Sequence, residues 1–288
     1  MPMVERKLNI TILTLVGIIL LILFVGIPFY WVFNLSLTPE TEAYSPKLFP
    51  SNPTLSNYFD LFNPSKAAAR AARFENFTGP FINSTIVALT VTALSMLLGC
   101  LAAYNLARFN YKGKSYTSLY ILFAYVFPPF FLMIPLNIVI NMMRLGDTLL
   151  GLILAHLAYT VPFSTWILRG YFMGMPKDIE DSALVDGCSR FQTLWRIVLP
   201  ISAPGLVTAA IFSFTLSWDD LIFALVILSK AENYTLPLAI SLFMQGGEVY
   251  AWGELAASTI LATIPPVALY LLIQKYVISG LTGGAIKG

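Results

Sequence analysis

Six apolar runs, each about 20 residues long, recur along the chain. They are Ile10–Phe33, Phe81–Leu106, Tyr116–Ile140, Thr148–Leu168, Ala203–Leu228 and Gly253–Tyr276. A helix of that length spans the hydrocarbon core of a bilayer. The runs are too long for the strands of a membrane β-barrel, which alternate in polarity over about 10 residues. Of the 288 residues, 57% are hydrophobic and 11% are charged. A soluble domain carries about 25% charge, so disorder, a nucleic-acid-binding tail and a charged surface protein are excluded. The expectation is an all-α integral membrane protein with six transmembrane helices and a lipid bilayer as its solvent.

The first run follows Glu5, Arg6 and Lys7, as in a signal peptide. It is longer than a signal h-region and no A-x-A site follows, so a retained helix is expected. Positive charge then sets the orientation. With the N-terminus inside, Arg6, Lys7, Arg108, Lys112, Lys114, Arg169, Lys177, Arg190, Arg196, Lys275 and Lys287 are cytoplasmic, eleven of the 17 lysines and arginines. Both termini are therefore expected inside. The chain divides into an N-terminal segment with the first helix (1–34), an outer loop (35–80), a five-helix transmembrane domain (81–276) and a cytoplasmic tail (277–288). Residues 35–80 and 229–252 are either ordered connectors or a docking surface for an external partner. Cys100 and Cys188 cannot make a disulfide framework and are expected as free thiols.

The most organised polar segment is the cytoplasmic loop 170–201. Pro176 precedes a helix whose first turns hold Asp178, Glu180 and Asp181, acids that suit a helix N-terminus. Asp186-Gly187 reads as its stop, and Ser189 as the cap of a second helix. There Phe191, Leu194, Trp195 and Val198 fall at i, i+3, i+4 and i+7, which makes one apolar face. Such a face docks in a partner's groove, or packs on the chain's own helix ends or the headgroup layer.

Asp181-Ser182-Ala183-x3-Gly187-x9-Ile197-x-Leu199-Pro200 resembles the E-A-A-x3-G-x9-I-x-L-P loop of ABC-importer permeases, with Asp for Glu and Ser for the first Ala. Phe81-x-Asn83-Ser84, Ala102-Ala103-Tyr104-x-Leu106-Ala107-Arg108-Phe109, Lys112-Gly113-Lys114 and Pro53-Thr54-Leu55-x-Asn57-Tyr58 resemble the carbohydrate-importer permeases. The tail from Gly280 to Gly288 resembles that of the maltose-permease G-like subunits. The resemblance implies a type I ABC importer permease fold. It also implies a second, different permease, a pair of ATPase subunits, and an external solute-binding protein that delivers a sugar. Asp181, Ser182, Ala183, Asp186, Gly187, Phe191, Ile197, Leu199 and Pro200 would form the ATPase-coupling element. Gly283, Gly284 and Lys287 of the tail would reach the ATPase. ATP and Mg would sit on that partner, and this chain would be a non-catalytic subunit. Consistently, the sequence holds no G-x-x-x-x-G-K-[ST] phosphate loop.

Trp218-Asp219-Asp220 lies deep in the fifth run. An acid in a bilayer needs a partner or water. Ser213, Ser217, Asp220 and Ala224 make one stripe of that helix; Thr208, Phe212, Thr215 and Asp219 make another. Ser213, Ser217, Asp219 and Asp220 are candidates for a translocation path, while small residues and hydroxyls also simply join helices. The family has Trp-Asn-Glu or Trp-Asn-Asp here, so Asp220 matches and Asp219 stands for an amide. The single histidine, His156, is expected to bond a neighbouring helix. One histidine and two distant cysteines make no metal-ligand cluster. Pro128, Pro129, Pro135, Pro265 and Pro266 are expected to kink or break spans three and six. An ion-coupled secondary transporter using Asp219, Asp220 and His156 is the competing class; it calls for inverted repeats, and no convincing internal repeat is visible. Within the ABC class, a glycerol-phosphate or polyol is the alternative cargo.

Overall fold

The computed structural model describes the backbone of residues 2–45, 47–63, 77–245 and 251–285. Among these residues all the regular structure is helical, with no strand. The helices are α1 (Pro2–Ser36), α2 (Glu40–Ala43), α3 (Ser56–Asp60), α4 (Thr78–Arg108), α5 (Lys114–Val126), α6 (Pro129–Met142) and α7 (Leu149–Gly174). They continue as α8 (Lys177–Val185), α9 (Arg190–Ile201), α10 (Ala203–Trp218), α11 (Ile222–Ile227), α12 (Leu236–Gln245) and α13 (Trp252–Ala285).

Four stretches are long and apolar enough to cross a membrane: Leu13–Ser36, Thr78–Arg108, Leu149–Gly174 and Trp252–Leu272. Two bent pairs add two more if each counts as one span. They are α5 with α6, at 101°, and α9 with α10, at 83°. Proline chemistry explains the first bend. A proline disfavours helical backbone in the residue before it. Phe127 and Pro128 each precede one, and both are extended, with ψ of 124°. Pro129 then opens α6 at its first turn, where the missing N–H costs nothing. Pro265 and Pro266 do not break the last helix, because α13 runs through them from Trp252 to Ala285. The expected single span Ala203–Leu228 is also corrected. It is two helices, α10 and α11, parted at residues 219–221.

The chain forms two compact units. One comprises Met1–Phe77 and Leu242–Thr263. Within it the segment after α1 folds back by polar contacts. Asn57 Nδ2 donates to the Ser36 and Thr38 carbonyls at 2.9 Å, and the Ser36 and Tyr58 hydroxyls lie 2.7 Å apart. Tyr30 donates its hydroxyl to the Leu48 carbonyl. The apolar side chains of α1 from Leu13 to Phe24 are exposed, as a lipid-facing helix requires.

The other unit comprises Thr78–Ser241 and Ile264–Gly288. Its centre is α4 packed along α7 and α10. Buried Tyr104, Leu168, Phe172, Leu194, Val198 and Ala209 form one core at one end of these helices. Glycines allow the close approach. A Cβ on Gly99 would sit 2.9 Å from the Ser164 Cβ, and one on Gly205 would overlap the Tyr171 ring. At Gly151 the obstacle is backbone, the Leu145 carbonyl oxygen. Gly151→Ala is expected to cost about 1–3 kcal/mol through this overlap. A lowered unfolding temperature of the detergent-solubilised protein checks it.

Candidate functional site

The loop 170–201 is built from strong local stops and starts. Helix α8 ends in a Schellman motif. The Cys188 N–H donates to the Ala183 carbonyl at 3.0 Å and the Gly187 N–H to the Leu184 carbonyl at 3.1 Å. Gly187 has φ of +88°, the left-handed conformation that glycine adopts without strain. Two residues on, Ser189 caps α9 with a complete capping box, in which Gln192 returns its side chain to the Ser189 N–H at 2.8 Å. The expected stop and cap are thus in place.

The apolar face expected on α9 is divided. Residues Leu194–Val198 form a π-turn, which adds a residue to the turn and rotates the residues beyond it. Leu194 and Val198 point into the core, whereas Phe191 is 63% and Trp195 46% exposed, with ring centroids 6.0 Å apart. Of the sequence-derived coupling residues, Asp181, Ser182, Asp186, Gly187, Phe191 and Pro200 are exposed. Ile197 is half-buried, and Ala183 and Leu199 are buried against the chain's own helices. Val185, at 87% exposure, extends the open apolar row and was not singled out from sequence. A row of exposed Val, Phe and Trp flanked by acids is a surface that gains by covering its apolar part.

Sequence reasoning also missed Glu180. It reads there as one of three interchangeable acids, yet its exposure is 1% while Asp178 and Asp181 are exposed. The Arg108 Nε lies 2.5 Å from its Oε1, and the Tyr104 hydroxyl donates to its Oε2 at 3.0 Å. The usable signal was spacing. Glu180 and Ala183 stand at i and i+3, hence on one face, and Ala183 is the apolar one.

The small polar residues of α10 lie between helices. Ser213 is fully buried, its hydroxyl 2.8 Å from that of Ser164. Ser217 Oγ lies 2.8 Å from His156 Nδ1, and His156 Nε2 lies 3.1 Å from Asp220 Oδ2. With the proton on Nε2, His156 accepts from Ser217 and faces the Asp220 carboxylate. Asp220 also accepts the Phe223 and Ala224 amides at 3.4 and 3.1 Å and so caps α11 at the break. On α7, Thr160 meets Ser95 of α4 at 2.7 Å. These hydroxyls, with His156 and Asp220, join α4, α7, α10 and α11. Asp219, by contrast, is exposed. The second stripe faces open space. Thr208, Phe212 and Thr215, with Ile211, Pro266, Val267 and Tyr270, line a groove of ≈ 400 Å³. Gly283 and Gly284 lie in the last turns of α13, and Lys287 falls outside the described residues.

Another cluster had no sequence signal. Asp147 and Arg144 adopt positive φ of 55° and 60°. Asp147 Oδ1 accepts the Ser229 and Lys230 amides at 2.8 and 3.1 Å, and its carbonyl accepts from Asn233 Nδ2 at 2.7 Å. Desolvation pushes its pKa up, but the two amide bonds, a longer bond from Asn233 Nδ2 to Oδ1 and the Lys230 ammonium outweigh it and hold the carboxyl below its usual value. A depressed folded-state pKa stabilises above the unfolded pKa, and the gain is lost as pH falls through the folded value. The 228–234 segment should therefore stay protected at pH 5 and loosen only below about 4. Asp147→Asn should loosen it already at neutral pH. Hydrogen exchange of that segment, corrected for intrinsic rate, checks both.

Comparison with known proteins gives one consistent result. The chain is 32% identical over 274 residues to the inner membrane ABC transporter permease protein YcjP of Escherichia coli, covering 94% of this chain and 95% of that protein. It is 34% identical over 279 residues to the trehalose/maltose transport system permease protein MalG of Thermococcus litoralis, covering 96% and 97%. To the trehalose transport system permease protein SugB of Mycobacterium tuberculosis it is 35% identical over 263 residues, covering 91% and 92%. Its fold matches a chain in the crystal structure of a bacterial ABC transporter involved in import of the acidic polysaccharide alginate. The TM-score is 0.77 at 20% identity, covering 95% and 97%. Residues 95–283, which include α7, the loop 170–201 and the α10–α11 break, match the model of the binding-protein-dependent transport system inner membrane components. The chain belongs to that family and is a multi-pass protein of the inner membrane.

Proposed function

We propose that this chain is one permease subunit of an ATP-driven ABC importer that carries a sugar across the cytoplasmic membrane. In this reading it has the type I fold, six spans and both termini inside. It works with a second, different permease, two ATPase subunits holding ATP and Mg, and an external solute-binding protein. It hydrolyses nothing itself. The observation that carries the reading is the exposed edge of α8 and α9, where Asp181, Ser182, Val185, Phe191 and Trp195 stand open. A Schellman stop and a capping box hold that edge in shape. The names of the trehalose, maltose and diacetylchitobiose permease relatives support a sugar as cargo. A neighbouring structure of an alginate transporter with its periplasmic protein supports the binding-protein partner.

The buried His156–Asp220 pair favours one rival, an ion-coupled carrier. Uptake of radiolabelled trehalose, maltose and chitobiose into vesicles bearing the whole transporter and its binding protein separates the two. The importer requires uptake that vanishes on ATP depletion and survives a protonophore. Uptake that survives ATP depletion and fails with the protonophore establishes the carrier.

A further inference from the structure

Helix α8 has nine residues and hangs between two turns. Only two of them, Glu180 and Ala183, are buried. Its hold on the bundle therefore rests largely on one carboxylate. Both Glu180 oxygens are bonded, Oε1 to Arg108 and Oε2 to Tyr104. Arg108 also reaches past Pro176, where its Nη2 donates to the Met175 carbonyl at 3.1 Å. One guanidinium thus grips the chain on both sides of the turn that launches α8. The side chains of Arg108 and Glu180 are 5% and 2% exposed. Tyr104 is fixed in turn by edge contacts with Phe109 and Phe172.

A buried ion pair is a poor stabiliser, since desolvation offsets the attraction. What it supplies is a defined position, because a shifted partner leaves a charge unpaired. Arg108 and Tyr104 both belong to α4, and α4 packs along α7 and α10 through much of its length. A displacement of the exposed edge of α8 therefore enters α4 at its end residue.

We propose that Arg108, Tyr104 and Glu180 form a clamp that makes α8 and α4 one rigid lever, and that these three are positioning residues for coupling. This rests on the importer reading above. The clamp does not touch the ATPase. It decides whether a push on α8 becomes a movement of α4.

The test uses the complete transporter in nanodiscs with Cys100→Ala and Cys188→Ser, and spin labels at Lys177→Cys and Leu89→Cys. Both label sites are exposed, one on α8 and one about 30 Å from Arg108 along α4. With the clamp intact, the distance distribution is narrow and unchanged by ATP with vanadate. Arg108→Gln with Glu180→Gln removes both charges, so no charge is left buried alone. That pair is expected to reach the membrane within about twofold of the wild-type amount and to retain its ATPase. Its distance distribution should broaden and shift with ATP and vanadate. Arg108→Lys, which keeps the charge and loses the two-pronged grip, should broaden it likewise and covers the case of poor folding. A purely structural pair would lower the amount of complex and leave the assembled molecules narrow; that result overturns the clamp. Failure of the wild-type chain to bring down any ATPase overturns the importer reading instead.

Discussion

Gly187→Asp should abolish ATP-dependent uptake, by at least tenfold, while the chain still reaches the membrane at near its normal level. Strain and space act separately at this position. Nothing lies within 4 Å of a Cβ placed there, so the substitution meets no clash. The cost is the left-handed backbone, φ +88°, about 1–2 kcal/mol for a residue with a Cβ. That is small against the packing of the whole bundle, and it falls on the turn that aims α9 relative to α8. The new carboxylate also doubles the charge beside Asp186 on an exposed edge. Gly187→Asn is the control, since Asn matches Asp in size and in its access to the left-handed region and adds no charge. It should retain most of the uptake and of the bound ATPase. Parallel measurements of uptake, membrane abundance and co-purified ATPase decide the matter. Normal uptake by Gly187→Asp removes the loop from the coupling role.

The second large effect is expected at Asp220. Asp220→Ala takes the cap from α11 and removes the carboxylate that lies 3.1 Å from the buried His156 Nε2. Loss of a cap costs about 1 kcal/mol, and loss of a close buried polar contact about 1 kcal/mol more. Thermal unfolding in detergent should fall by several degrees, with lower abundance in the membrane. Asp219→Ala, one residue away and exposed, should stay within about 0.5 kcal/mol of wild type. Adding His156→Ala to Asp220→Ala should cost less than the sum of the two, because both remove the same contact. Equal effects at Asp219 and Asp220 would contradict the separation of the two side chains.

The stop at Gly187 and the cap at Ser189 were legible in the sequence because both are local, set by residues within five positions of each other. The Pro128-Pro129 break was legible for the same reason. Pro265 and Pro266 leave the last helix unbroken, since proline within a long helix need not end it when the surroundings supply other bonds. The apolar face of α9 was misplaced because 3.6-residue spacing does not hold through a π-turn. Ser217, His156 and Asp220 could not be joined from sequence; His156 and Asp220 are 64 positions apart, and only the packing of α7 on α10 and α11 brings them together. Glu180 was hidden among acids that look alike until the burial of one face sorts them. Of the two polar stripes on α10, either of which suited a path in sequence, Ser213, Ser217 and Asp220 join helices. The threonine stripe lines the groove.

The decisive measurement is co-purification. The tagged chain is solubilised gently from its native membrane, and its companions are identified by mass spectrometry. A P-loop ATPase and a second multi-span permease in fixed proportion to the chain are the expected result. Recovery of the chain alone, or only with copies of itself, contradicts the importer assignment and turns attention to His156 and Asp220 as ion-handling groups.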